Sequence, residues 1–124
     1  MNSQELQTRT KKFAAMVIEF AERLPRNYSC EVMAKQMIRS AASVAANYRA
    51  AGRARSSADF VNKLGIVEEE ADETLFWIEM LIEAKKLTEA DVSILLKEVK
   101  EIVAIFSAAH KTAKINKKNH KSIR

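Results

Sequence analysis

Very little in this chain can interrupt a helix. Its 124 residues contain only two glycines and one proline, while 48% are apolar. Turn chemistry depends mainly on Gly and Pro, so their scarcity excludes a sheet protein with many tight turns and points to an all-α fold. The apolar residues recur by threes and fours, as one buried face of a helix requires. The length suits one domain with a real core and is short for two.

Punctuation divides the chain into four segments. The first runs from about Gln4 to Arg23 with Leu6, Phe13, Val17, Phe20 and Leu24 in line, and LPRNYSC breaks it, since Pro25 has no amide proton and disfavours helix at Leu24. Ser29 is the expected N-cap of the second, which carries Met33, Met37, Val44 and Tyr48 and ends near Ala51. Gly52 is the expected left-handed terminator. Ser56 with Asp59 has capping-box spacing for a third helix to about Lys86, predicted to be the longest at about 45 Å. Its core stripe is Phe60, Leu64, Val67, Ala71, Leu75, Ile78 and Ile82. Thr88 with Asp91 repeats the capping signature before Val92, Leu95, Leu96, Val99, Ile102, Val103 and Phe106. Short connections make sequential helices antiparallel, so the expected architecture is an up-down four-helix bundle over residues 1–113, followed by a basic tail, 114–124.

A second apolar band remains on the third helix. Ile66, Trp77, Met80 and Ala84 lie away from the main stripe, mixed with Glu70 and Glu73, and Ile94 and Ile105 repeat this weakly on the fourth. Packing on the edge of a neighbouring helix is one explanation. Self-association, with Ile66, Trp77 and Met80 at the interface, is the preferred one, because aromatic residues and Met are enriched in interface cores.

The net charge of +5 is unevenly distributed. Residues 111–124 carry six Lys or Arg and no acid, so residues 1–110 sum to 5 − 6 = −1. Lys111, Lys114, Lys117, Lys118 and Lys121 form a cationic run, and Arg49, Arg53 and Arg55 cluster around the end of the second helix. Cations there oppose the negative end of the helix dipole, which would explain them without a ligand. The functional alternative is attraction of RNA or DNA phosphates through counterion release, without base specificity, since no aromatic is interleaved with the lysines.

Along the second helix Gln36, Ser40, Ser43 and Asn47 form a polar stripe beside Arg39, and VEEEADE on the third offers Glu69 and Glu73 one turn apart. Polar groups bordering a core need partners, which predicts a contact from Arg39 to a glutamate across the two helices.

The stretch QMIRSAASVAANYRAAGRARSSADFVNKLGIVEEEADETLFWIE, together with these residues, resembles the bacterial four-helix-bundle proteins related to those encoded in intervening sequences of large-subunit ribosomal RNA genes. That family has a Gln-x-x-Arg-Ala-x-x-Ser-Ile-x-x-Asn-Ile block before an Arg-x-Ser-x-x-Glu/Asp-Phe block. Gln36, Arg39, Ser43 and Asn47 answer the first, and Arg55 (or Arg53), Ser56, Asp59 and Phe60 the second. The likeness covers roughly residues 24–108. Tyr48 replaces the Ile, and Ala50 and Ala51 stand where many members have Glu-Gly. The resemblance implies a homo-oligomer, a pentamer in relatives. A related branch, the accessory variability proteins of diversity-generating retroelements, forms rings that bind a reverse transcriptase and nucleic acid. It therefore adds a second functional expectation, a protein-binding adaptor docking a partner enzyme.

Catalytic constellations are missing from the pattern. Di-iron bundles use Glu-x-x-His motifs, and neither His110 nor His120 has Glu at that spacing. VEEEADE suits salt bridges better than a cation site, because no loop would wrap the ion. Cys30 is a lone thiol without an organised base, both glycines are isolated, and His110 is expected to be a helix-terminal residue. No enzyme and no cofactor are predicted. The polar start MNSQELQTRTKKF and the absence of a long apolar run lead to the expectation of a cytoplasmic protein independent of membranes.

Overall fold

The first three helices begin where a short polar side chain can accept from an amide left unpaired in the first turn. In the computed structural model, which describes the backbone of residues 1–123 and the side chains of residues 1–119, α1 spans Ser3–Glu22, α2 Tyr28–Ala51, α3 Ser57–Glu83 and α4 Ser93–Ile123. The carboxamide of Asn2 accepts from Glu5 N at 2.8 Å, and Ser56 Oγ accepts from Asp59 N at 3.0 Å. The cap of α2 is Asn27, not Ser29: Asn27 is extended and accepts from Cys30 N at 3.0 Å, while Ser29 lies inside the first turn and donates to the Asn27 carboxamide at 3.2 Å. Thr88 and Asp91 form the reciprocal pair their spacing predicts, with Thr88 N donating to Asp91 Oδ2 at 2.9 Å and Asp91 N to Thr88 Oγ1 at 3.3 Å. A single 3-10 turn, Ala90–Val92, then leads into α4.

The helix ends depart from expectation. Gly52 is right-handed at φ −64°, and the turn continues through Arg53 N to Ala50 O and Ala54 N to Ala51 O. The left-handed position is Lys85, at φ 60°. Lys86 N donates to Leu81 O and Lys85 N to Ile82 O, both at 2.9 Å, which is the Schellman pattern that closes a helix. Helix α3 therefore stops at Glu83 with 27 residues, and α4 is the longest element with 31, about 46 Å of uninterrupted helix. It passes through the 113–114 boundary without a break.

Successive helices pack side by side, α1 on α2, α2 on α3 and α3 on α4, with α4 closing back on α1 along the shortest seam. The bundle is all-α and antiparallel. Phe13, Val17, Met37, Val44, Val67, Ile78, Val99, Ile102 and Phe106 are fully enclosed, and each contributes on the order of 1.5–3 kcal/mol of burial. On α3 the buried face is turned from the expected line: Thr74 and Leu81 are fully enclosed, whereas Leu75 and Ile82, one position on, are half-buried. Pressed between α2 and α4, α3 needs a wider buried arc than one stripe.

Polar contacts also tie the layers together. Ser40 and Thr74, both fully buried, meet at 2.7 Å, and each also lies within bonding distance of a carbonyl of its own helix, Met37 O and Glu70 O. Two hydroxyl protons serve three such contacts, so the pair exchanges donors and leaves neither oxygen without a partner. At the α1–α4 seam Arg9 forks onto Glu98 at 2.7 and 3.0 Å and reaches Glu101 at 3.3 Å. Hydrogen bonding to Glu98 raises the Arg9 pKa further above its ordinary value, against the opposing effect of burial.

Candidate nucleic-acid interface

The antiparallel order brings the end of α2, the start of α3 and the last third of α4 to the same end of the molecule. A cleft of about 580 Å³ opens there between the α2–α3 turn and α4, lined by Ala54, Ser56 and Phe60 on one side and Ala113, Asn116 and Lys117 on the other. Arg53 and Arg55, exposed in the turn, flank Ala54 at the rim. The arginine-bearing turn and Lys117, more than fifty residues apart in sequence, therefore meet at one cavity.

Between residues 49–63 and 111–118 stand eight Lys or Arg and a single acid, Asp59. The Asp59 carboxylate faces the backbone, accepting from Arg55 N at 3.3 Å. The side chains of Arg49, Arg53, Arg55, Lys111, Lys114 and Lys117 form no ion pair with the described residues, so their charge is not cancelled locally. On a helix at 100° per residue Lys111, Lys114 and Lys118 fall on one face, whereas Lys117 turns toward the cleft and is half-buried. The lysines form a helical ridge as far as they are described; the side chain of Lys121 lies outside the described residues.

Phe60 is the residue that sequence reasoning misplaced. It sits in the line of the α3 core stripe, yet it is 38% exposed. On its own side of the cleft, at the α2–α3 turn, its neighbours are Ala51, Gly52, Ala54, Ser56 and Ser57, which are too small to cover a phenyl ring. An aromatic thus shares the cleft with Lys117, supplied by a different helix. A stripe position in a first turn next to a run of small residues was the available signal.

One turn further along, His110 marks the border with the acidic belt of α3. It is not helix-terminal, because α4 continues well past it. Its imidazole lies over Gly65, where a Cβ would come within 3.1 Å of Nε2, and its Nδ1 is 2.8 Å from Glu68 Oε1. Gly65 thus leaves room on α3 for the His110 ring of α4.

The polar stripe resolves into two parts. Arg39 takes Glu70 at 2.8 Å and also Glu73, and its Nε donates to Gln36 Oε1 at 3.3 Å. The glutamate one turn from Glu73 that participates is Glu70; Glu69 is exposed and makes no such contact. Hydrogen bonding to Glu70, with Glu73 adding to it, raises the Arg39 pKa further. Ser43 and Asn47 pair within α2 instead, Asn47 Nδ2 donating to Ser43 Oγ at 2.9 Å and to Ser43 O at 3.0 Å.

Trp77 joins the same network, its Nε1 donating to Glu73 Oε2 at 3.3 Å. Its indole is half-buried against the core, as is Met80, and Ile66 is half-buried. The open aromatic on this face is Phe76, 48% exposed and edge-on to Trp77 at 5.0 Å. Among the described residues no three His, Cys, Asp or Glu side chains gather where a metal ion could bind, and no helix is long and apolar enough to cross a membrane.

No curated protein matches the chain. A solved structure from Bacteroides thetaiotaomicron, a protein with unknown function from the S23 ribosomal protein family, is similar, with 32% sequence identity and a TM-score of 0.79. The likeness covers 90% of this chain and 99% of that one. The family described as 23S rRNA-intervening sequence protein matches residues 3–108, nearly the whole bundle and none of the lysine ridge. With fold and sequence pattern in agreement over that span, the chain belongs to the 23S rRNA-intervening sequence protein family.

Proposed function

We propose that the protein is a non-catalytic, self-associating helical bundle that binds RNA or DNA through the basic end. The observation that carries this reading is the gathering of cations at one end of the bundle, where the Arg53–Arg55 turn and Lys117 meet at one cleft and the Lys111, Lys114 and Lys118 ridge runs along the adjoining face of α4, with one acid among eight cations. Released counterions provide the driving force, so affinity falls steeply with salt. If about four phosphates are engaged, the logarithm of the association constant falls with the logarithm of salt concentration at a slope of about −3 for a single strand. Fluorescence anisotropy of the full chain with labelled RNA and DNA across a salt series tests this. Charge reversal at Lys111, Lys114 and Lys118 together should abolish binding, and binding that is absent at low ionic strength or indifferent to salt would refute it.

Self-association rests on Phe76, a large exposed ring braced by Trp77 on the outer side of α3. Copies joined there would multiply the positive surface. The same ring supports a second reading, docking of a partner enzyme, in line with the adaptor expectation. Phe76→Glu should yield a smaller species in sedimentation; an unchanged mass, or a monomeric parent protein, rules out this interface between copies, and retained partner capture by the same variant rules it out as the docking site.

A further inference from the structure

We propose that Phe60 is a stacking platform for an unpaired nucleobase, which makes the basic cleft a site for single-stranded nucleic acid in particular. The inference rests on the nucleic-acid reading above and adds the class of strand. Three features of the cleft converge on it. The first is the ring itself, in line with the core stripe of α3 but left 38% exposed. Aromatic surface kept in contact with water is unfavourable, and a flat apolar group would cover it.

The second feature is size. A cleft of about 580 Å³ lies within the range that accommodates organic ligands of drug size and greatly exceeds the space of a few waters. The third is charge. Lys117 lines the cleft, and Arg53 and Arg55 flank Ala54 at its rim, so the phosphates on either side of an inserted base would meet cations while the base met the ring. Asn116 places a carboxamide on the same wall, able to donate to or accept from a base edge. A protein partner with an apolar anchor would satisfy the first two features but not the third unless it were strongly acidic.

Strand class follows from access. In a duplex every base is stacked on its neighbours and paired, so its face is closed to a phenyl ring, whereas a single strand presents each face in turn. The two contributions also leave different signatures. Lysine–phosphate contacts set the slope of affinity against salt, and ring–base stacking adds an increment that salt hardly changes.

The test uses the full chain with labelled oligouridine and oligoadenosine RNA of about twelve nucleotides and an RNA duplex of equal length. Phe60→Ala should weaken binding to the single strands by on the order of tenfold, leave the salt slope as it is, and leave duplex binding unchanged. Phe60→Trp should retain affinity and show quenched indole emission on binding, because stacking places the base against the fluorophore. Phe60→Leu, apolar but not planar, should behave like Ala. Leu behaving like Phe, an equal loss on duplex and single strand, or an Ala variant that binds as tightly as the parent would each overturn the stacking role while leaving phosphate binding intact. A change of sedimenting mass in Phe60→Ala would overturn it in favour of a second copy covering the ring. Absence of all binding in the parent protein would instead remove the underlying nucleic-acid reading.

Discussion

Glycine in the middle of a helix costs about 1 kcal/mol relative to alanine, and Gly65 is placed well inside α3. Replacing it by alanine should recover that energy unless the added methyl has nowhere to go. Here it meets the imidazole of His110, 3.1 Å from Nε2 and 3.2 Å from Cε1, so the ring must retreat by a few tenths of an ångström. Retreat stretches the 2.8 Å contact between Nδ1 and Glu68, costing about 1 kcal/mol for the weakened hydrogen bond. Lost packing on the ring costs a further fraction of about 1 kcal/mol. Gly65→Ala alone should therefore be neutral to mildly destabilising. With His110→Ala as background the obstacle is gone, and the same change should stabilise by about 1 kcal/mol, roughly 4 °C in Tm. The coupling in a double-mutant cycle, read by urea unfolding at fixed pH, is then about 1–2 kcal/mol. Equal effects of Gly65→Ala in both backgrounds would refute the idea that this glycine exists to admit the imidazole.

Other consequences are equally direct. Lys85→Gly should raise Tm, since a side chain in the left-handed region costs roughly 1 kcal/mol that glycine avoids, whereas Gly52→Ala, at an ordinary φ and with its nearest contacts at 3.4 Å, should gain about 0.4–1 kcal/mol by restricting the unfolded chain. Thr74→Val, leaving Ser40 without its 2.7 Å partner, should cost about 1–2 kcal/mol in chemical denaturation, and adding Ser40→Ala should cost less than the sum of the single changes. The amide and hydroxyl of Thr88 hold the Asp91 carboxyl below its ordinary value of 3.8. Its stabilising contribution is therefore complete at neutral pH, above the unfolded value, and is lost as pH falls through the lower folded value. Asp91→Asn should lower Tm at neutral pH and reduce the steepness of the acid limb of a Tm-against-pH profile.

What could be read from the sequence was whatever depends on local periodicity. Helix number and order, most of the buried residues, and the Ser56 and Thr88 starts follow from spacing because the information lies within a turn or two of chain. The Asn27 cap was harder, since Asn27 and Ser29 have the same chemistry and differ only in which one adopts an extended backbone. The α3 terminus was hidden because lysine, not glycine, occupies the left-handed position. Between helices, Arg39 was placed against the acidic run, but choosing Glu70 over Glu69 required the rotation of α3, which Thr74 and Leu81 reveal and the simple stripe does not. The Arg9 fork onto Glu98 spans 89 residues and left no local signal. For the basic end, the cations were visible but their meeting was not, because only the antiparallel order carries the α2–α3 turn to α4. Phe60 was assigned to the core on angle alone, and its exposure depends on how small its neighbours at the α2–α3 turn are.

The continuity of α4 changes what the lysines can do. A loose basic tail would have to be ordered on each encounter, at about 1–2 kcal/mol for every backbone residue immobilised. Here the cations are mounted on a continuous helix whose other half is anchored in the core by its own Val99, Ile102 and Phe106, so their register is set when the chain folds. If the proposed nucleic-acid binding holds, a strand arriving at that end would find its counter-charges already arrayed and would need to arrange only itself.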